Sequence, residues 1–150
     1  MLSNEAIEKL RTDKFDYPVT LLPIQTHNNT NYFSSVWTKP IPEEIGRAVF
    51  RLDTKKTIGI VGKNYKLVPH KSLYQTVTKE LHNSVREFNN IDVKDYVFDD
   101  GAFVKRTIIC KDDDYKVHIP TKNGNDFQFL RFDIYNSYNM KMAFHFVFGG

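Results

Sequence analysis

The chain has 150 residues, a formal net charge of +3, and 41% hydrophobic and 26% charged residues. That balance argues against a disordered chain and suits one globular domain, which at this length buries roughly 68–70% of its unfolded surface. The single cysteine, Cys110, excludes an intramolecular disulfide and fits a reducing compartment; it lies in an alternating apolar run and reads as a small core residue.

The first residues lack the basic and apolar regions of a signal peptide. No apolar run approaches the roughly 20 residues that a bilayer span needs. The expectation is a soluble chain of the cytoplasm with no membrane partner. The mild basic excess permits phosphate binding without demanding it.

In chain order, residues 3–11 predict a short helix, with Ser3 or Asn4 as cap and Ala6, Ile7 and Leu10 on one face. Pro18 and Pro23 impose extended chain on 17–24. Residues 26–31 are polar and read as a loop, and Tyr32, Phe33, Val36 and Trp37 as a strand or an apolar patch ended by Pro40 and Pro42. Residues 1–45 are thus expected to be an N-terminal helix and irregular arm, and 46–150 the α+β core.

Residues 48–52 and 57–61 predict two strands joined by Asp53-Thr54-Lys55-Lys56. The clearest helix is predicted over 71–89. There Leu73, Val77, Leu81, Val85 and Phe88 recur at helical spacing, a core-facing stripe. After Asp99-Asp100-Gly101 the period becomes two. Ala102, Val104, Ile108 and Cys110 share one side, interrupted by Arg106; Phe103, Lys105, Thr107, Ile109 and Lys111 share the other.

Asp112-Asp113-Asp114 reads as a turn, Tyr115, Val117 and Ile119 as the next alternation, and Asn123-Gly124 as another turn. Residues 127–135 are apolar on both faces, as in a central strand or a bulge near Phe129. After a turn at 136–139, residues 140–148 alternate again. The expected architecture is α+β: a C-terminal antiparallel meander packed with one long amphipathic helix. The chain stops at Gly149-Gly150 directly after a strand, which reads as a core cut short at its C-terminus.

Motifs for chemistry are sparse. Gly59-Ile60-Val61-Gly62-Lys63-Asn64 lacks the spacing of a phosphate loop and reads as a glycine turn. The five histidines show no metal-helix spacing, although His118 and His145 could neighbour across strands. The three consecutive aspartates do not form a calcium loop. No Ser or Cys nucleophile has a base at a motif spacing. An enzyme is therefore not expected, nor a cofactor or metal.

A softer pattern interleaves cations with rings. Lys63, Lys66, Lys105, Arg106, Lys116 and Arg131 are the candidates for phosphate contacts, and Tyr65, Tyr115 and Tyr135 for base stacking. Single-strand binders combine these two contact types on a sheet or groove.

Two segments resemble the phage/plasmid-like protein family, a domain of unknown function carried by phages and plasmids. They are Val61-Gly62-Lys63-Asn64-Tyr65-Lys66-Leu67-Val68-Pro69-His70 before a helix, and Asn136-Ser137-Tyr138 between late strands. The likeness covers roughly residues 48–150. The family pattern usually runs on into a segment with Arg, Cys and Asn, before which this chain stops. The resemblance implies a mobile-element protein acting in DNA replication, recombination or host takeover, and it transfers no catalytic residue.

The leading expectation is a phage- or plasmid-type protein that binds single-stranded DNA without catalysis in the host cytoplasm, with self-association lengthening its surface. The alternative is a protein-interaction module, such as an inhibitor of a host factor or an assembly component. A metal-dependent nuclease is a third, weaker reading.

Overall fold

The computed structural model describes residues 1–25, 44–84, 86–122, 124–139 and 145–149. The loop and aromatic patch expected within 26–43, Val85, Asn123 and residues 140–144 lie outside them.

The fold is α+β with two antiparallel sheets. The smaller sheet holds β1 (Val19–Gln25), β2 (Glu44–Arg51) and β3 (Lys56–Val61) in that order. The larger holds β4 (Ile91–Phe98), β5 (Phe103–Cys110), β6 (Lys116–Thr121), β7 (Gly124–Ser137) and β8 (His145–Gly149). Its order is β4-β5-β7-β6, with β8 also on β7.

The expected single meander is therefore corrected. A meander would pair β5 with β6, but both pair with β7. Cys110 lies opposite Leu130, and Lys116 opposite the preceding Phe129. The run 111–115 leaves the ladder between them, turning through the short 3₁₀ segment Asp113–Tyr115. A 14-residue β7 with partners along its length explains why its sequence is apolar on both faces.

The helices are α1 (Asn4–Lys9) and α2 (His70–Asn83). Ser3 caps α1, its hydroxyl accepting from the Ala6 amide at 3.1 Å. The long helix expected over 71–89 stops at Asn83. Ser84 is extended (ψ 146°), and its hydroxyl accepts from the Arg86 amide, a local bond that competes with the helix. Phe88 then bridges to Leu2, so a long-range contact ends the helical stripe.

Two core clusters result. The larger joins Leu2, Ala6, Leu10 and Phe15 to Tyr74 and Phe88 and to the inner face of the larger sheet, including Val104, Ile108 and Ile134. The smaller holds Val49, Ile58, Val61, Ala102 and Tyr138. Residues 1–25 contribute to both: α1 covers the larger sheet, and β1 pairs with β2 while Tyr17, Val19 and Leu21 pack on the smaller cluster. Pro23 sits in β1, an edge strand of the smaller sheet, where its missing N–H costs no ladder bond to a second neighbour.

Among the described residues, no three His, Cys, Asp or Glu side chains converge, and no helix is long and apolar enough to cross a membrane. His118 lies opposite Phe127 and His145 opposite Tyr135, so the two are not cross-strand neighbours.

Candidate nucleic-acid interface

The strand period sorts the larger sheet into two faces. Inward lie Ile91, Val104, Ile108, Cys110, Phe132 and Ile134, all buried. Outward, Lys94, Tyr96 and Phe98 of β4 stand opposite Thr107, Lys105 and Phe103 of β5. Those three β5 residues in turn stand opposite Asp133, Tyr135 and Ser137 of β7.

The outward rings form a continuous ladder. Tyr96 and Phe98 lie in nearly parallel planes with centroids 6.1 Å apart. Phe98 meets Phe103 at 5.6 Å, and Phe103 meets Tyr135 at 6.0 Å. The Lys105 ammonium sits between two of them, 5.5 Å from the Tyr96 centroid and 5.4 Å from that of Tyr135. Tyr96 and Phe98 are 40% and 45% exposed, so ring surface faces solvent beside a cation.

The electrostatics of this face lean positive. Lys94, Lys105, Lys111 and Arg131 share it with Asp92 and Asp133. Lys111 pairs with Asp92, whose carboxyl is held below its ordinary pKa, chiefly by that bond. Arg131 pairs with Asp133 at 3.1 Å. Burial works against the charge on Asp133, but bonds from Thr107 and Arg131 overcome it, so its pKa is also lowered.

Sequence reasoning placed Lys105 and Tyr135 in a binding role, and the structure brings these two together. Tyr65 reaches the same end of the sheet, donating its hydroxyl to the Ser137 carbonyl at 3.3 Å, and Lys63 and Lys66 are exposed on either side of it. Lys116 lies elsewhere, at the start of β6 opposite Phe129 of β7, 5.9 Å from that ring's centroid. Arg131 is exposed, with its guanidinium engaged by Asp133.

Two candidates are corrected. Arg106 is 1% exposed and points into the larger core. It forms a two-pronged pair with Asp95 and donates to the carbonyls of Leu10 and Arg11, between the rings of Phe15 and Tyr74. A guanidinium so enclosed cannot meet a phosphate at the surface. Tyr115 is buried, stacked on Phe88 at 5.0 Å with its hydroxyl donated to the Glu87 carbonyl. The stacking role expected of it is ruled out because 113–115 turns out of the strand and carries the ring into the core.

Tyr96 and Phe98 complete the ring ladder beside Phe103, and neither was among the sequence candidates. The available signal was weak: Tyr96-Val97-Phe98 directly before a glycine turn.

The two segments singled out by resemblance meet in space. His70 lies fully buried at the start of α2, its ring stacked on Tyr138 at 3.7 Å. Nε2 bonds the Gly101 carbonyl at 2.9 Å, so it carries the proton, and Nδ1 accepts from the Asn136 amide at 2.9 Å. Asn136 also donates to the Val68 carbonyl. Burial lowers the His70 pKa to about 4, against the weaker opposing pull of the Gly101 carbonyl, so the ring is neutral at pH 7. A side chain at Gly59 would collide with the Tyr138 carbonyl, which makes glycine necessary at this crossing.

Burial raises the Cys110 thiol to about 12, which makes it an unreactive core residue. No family model, curated protein or solved structure matches this chain.

Proposed function

We propose that this protein binds single-stranded nucleic acid, without catalysis, on the outer face of its larger sheet. One observation carries the reading: Tyr96, Phe98, Phe103 and Tyr135 form a ladder of rings on an outward sheet face, with the Lys105 ammonium set between two of them.

Each nucleobase offers a π-face, so exposed rings accept successive bases with little regard to sequence. Lys94 and Lys105 offer charge to the phosphates between them, with Lys63 and Lys66 on the loop at the Ser137 end. Paired bases are already stacked and closed to such rings, so duplex binds less well. The resemblance to phage and plasmid proteins adds a setting, replication or recombination of a mobile element in its host's cytoplasm. Self-association would extend the face along a strand.

The test is fluorescence anisotropy with labelled single- and double-stranded oligonucleotides over a salt series. We expect micromolar or tighter binding to single strands, falling steeply with salt, and weaker binding to duplex. Absence of binding at low salt would sink this reading.

A protein-interaction module is the second reading, favoured by a different surface. On the smaller sheet Leu22 and Ile60 flank Ala48, and they are 43% and 66% exposed. Substituting both with Lys should abolish such a contact and leave oligonucleotide binding unchanged.

A further inference from the structure

The turn between β4 and β5 holds three consecutive residues with left-handed backbone: Asp99 (φ 53°), Asp100 (φ 57°) and Gly101 (φ 98°). Only the last is a glycine. For the two aspartates this conformation is disfavoured by contact between Cβ and the backbone. The turn directly joins Phe98 to Phe103, the two rings at the centre of the ladder.

Three side chains from three separate elements hold this turn. Tyr17, ahead of β1, donates its hydroxyl to the Gly101 carbonyl at 2.6 Å. His70, at the start of α2, donates Nε2–H to the same oxygen at 2.9 Å. Arg51, at the end of β2, donates to the Asp100 carbonyl at 2.8 Å. The donors are themselves fixed. Asp53 grips Arg51 at 2.7 and 3.0 Å, and the guanidinium lies 4.0 Å from the Tyr17 ring centroid. Asn136 and Tyr138 hold His70. The Tyr17 ring fills the space where a side chain at Gly101 would stand.

We propose that Tyr17, Arg51 and His70 are positioning residues for the binding face: they clamp the β4–β5 turn in its left-handed form and so fix Phe98 against Phe103. This rests on the single-strand reading above and adds the part that sets its geometry. The Phe98 ring is 45% exposed and meets the rings of Tyr96 and Phe103, so its angle to Phe103 follows from the backbone of the turn that joins them. That backbone is held from the side by the smaller sheet and α2. The clamp touches no nucleic acid; it acts through the turn.

The test uses Tyr17→Phe, which deletes one oxygen, and the double variant Tyr17→Phe/Arg51→Gln. Both are titrated against a labelled oligo-deoxythymidine over a salt series, and against a strand carrying 2-aminopurine, whose fluorescence falls on stacking. We expect the double variant to bind about tenfold more weakly, with smaller quenching and an unchanged salt slope, because the stacking geometry is disturbed while the cations that meet phosphate stay in place. Asp100→Gly, which makes the left-handed turn easy, should restore much of the affinity in that background.

Affinity within about twofold of the unchanged protein, with equal quenching, would overturn the clamp and leave single-strand binding standing. A failure of the unchanged protein to bind would overturn both. Should the double variant lose its cooperative thermal transition, Tyr17→Phe alone carries the same comparison, with a smaller loss expected in the same direction.

Discussion

Lys105 and Arg106 are neighbours in sequence, both basic, and end on opposite sides of one strand. Lys105 lies outward and half-buried between two tyrosine rings. Arg106 lies inward, with its donors taken by Asp95, Leu10 and Arg11. The same charge is thus the proposed ligand contact on one face and an internal fastener on the other. Arg106 ties the backbone after α1 to the larger sheet, while its partner Asp95 comes from the edge strand β4. The pleat assigns the side, and the partners available on each side assign the role.

That contrast is most open to breakage at Arg106. Arg106→Ala would leave Asp95 with no counter-charge and two backbone carbonyls unsatisfied. We expect a loss of about 3–5 kcal/mol, read as a lower denaturation midpoint or as failure to fold. A stable variant would mean that the inward arginine is not a fastener.

His70 gives the next effect, through pH. The folded-state pKa, about 4, lies below the ordinary 6.5, so the unfolded chain takes up a proton first as pH falls. Stability from this group is complete above pH 6.5 and is lost progressively down to about 4. The loss amounts to at most roughly 3 kcal/mol. Denaturation curves at pH 7, 5.5 and 4 for the unchanged chain and for His70→Gln should show this slope in the first and not in the second. Equal slopes would place the titration elsewhere.

Phe98→Ala tests the outer face. Loss of one stacking ring should cost about 1–3 kcal/mol in single-strand affinity. The ring is exposed, so the thermal midpoint should move little. Lys105→Glu follows, with weaker binding and a flatter salt dependence, by roughly 0.7 in log–log slope for each phosphate that is no longer neutralised. Arg131→Ala should change least. Its pair with Asp133 is solvent-exposed on the arginine side, and such pairs contribute about 0–1 kcal/mol. A large affinity loss there would redraw the interface towards the β8 side of β7.

Much of the fold was legible because its signals are local. The alternation from residue 102 onward separated inward Val104, Ile108 and Cys110 from outward Phe103 and Lys105, and the sheet keeps that division. Ser3 could be read as a cap from its position before an apolar face. The end of α2 was less legible, since Phe88 continues the helical spacing and only its bridge to Leu2 shows that it has left the helix. Arg106 and Tyr115 were misplaced for a related reason. Residue type suggests a ligand contact, but burial and partners depend on Asp95, Phe15 and Phe88, far away in sequence.

The sequence by itself determined the α+β class and most strand positions, and named Lys105 and Tyr135 as separate candidates whose meeting depends on the β5–β7 register. The class, the strand positions and the candidates follow from period, turn residues and side-chain type, which act over a few positions. Only the tertiary structure decided that β7 serves both β5 and β6, that His70 meets Asn136 and Tyr138, and that four rings join into one ladder. Such contacts depend on strand order and register, which no local pattern encodes, because the energy that selects them appears only when distant segments bury each other's surfaces.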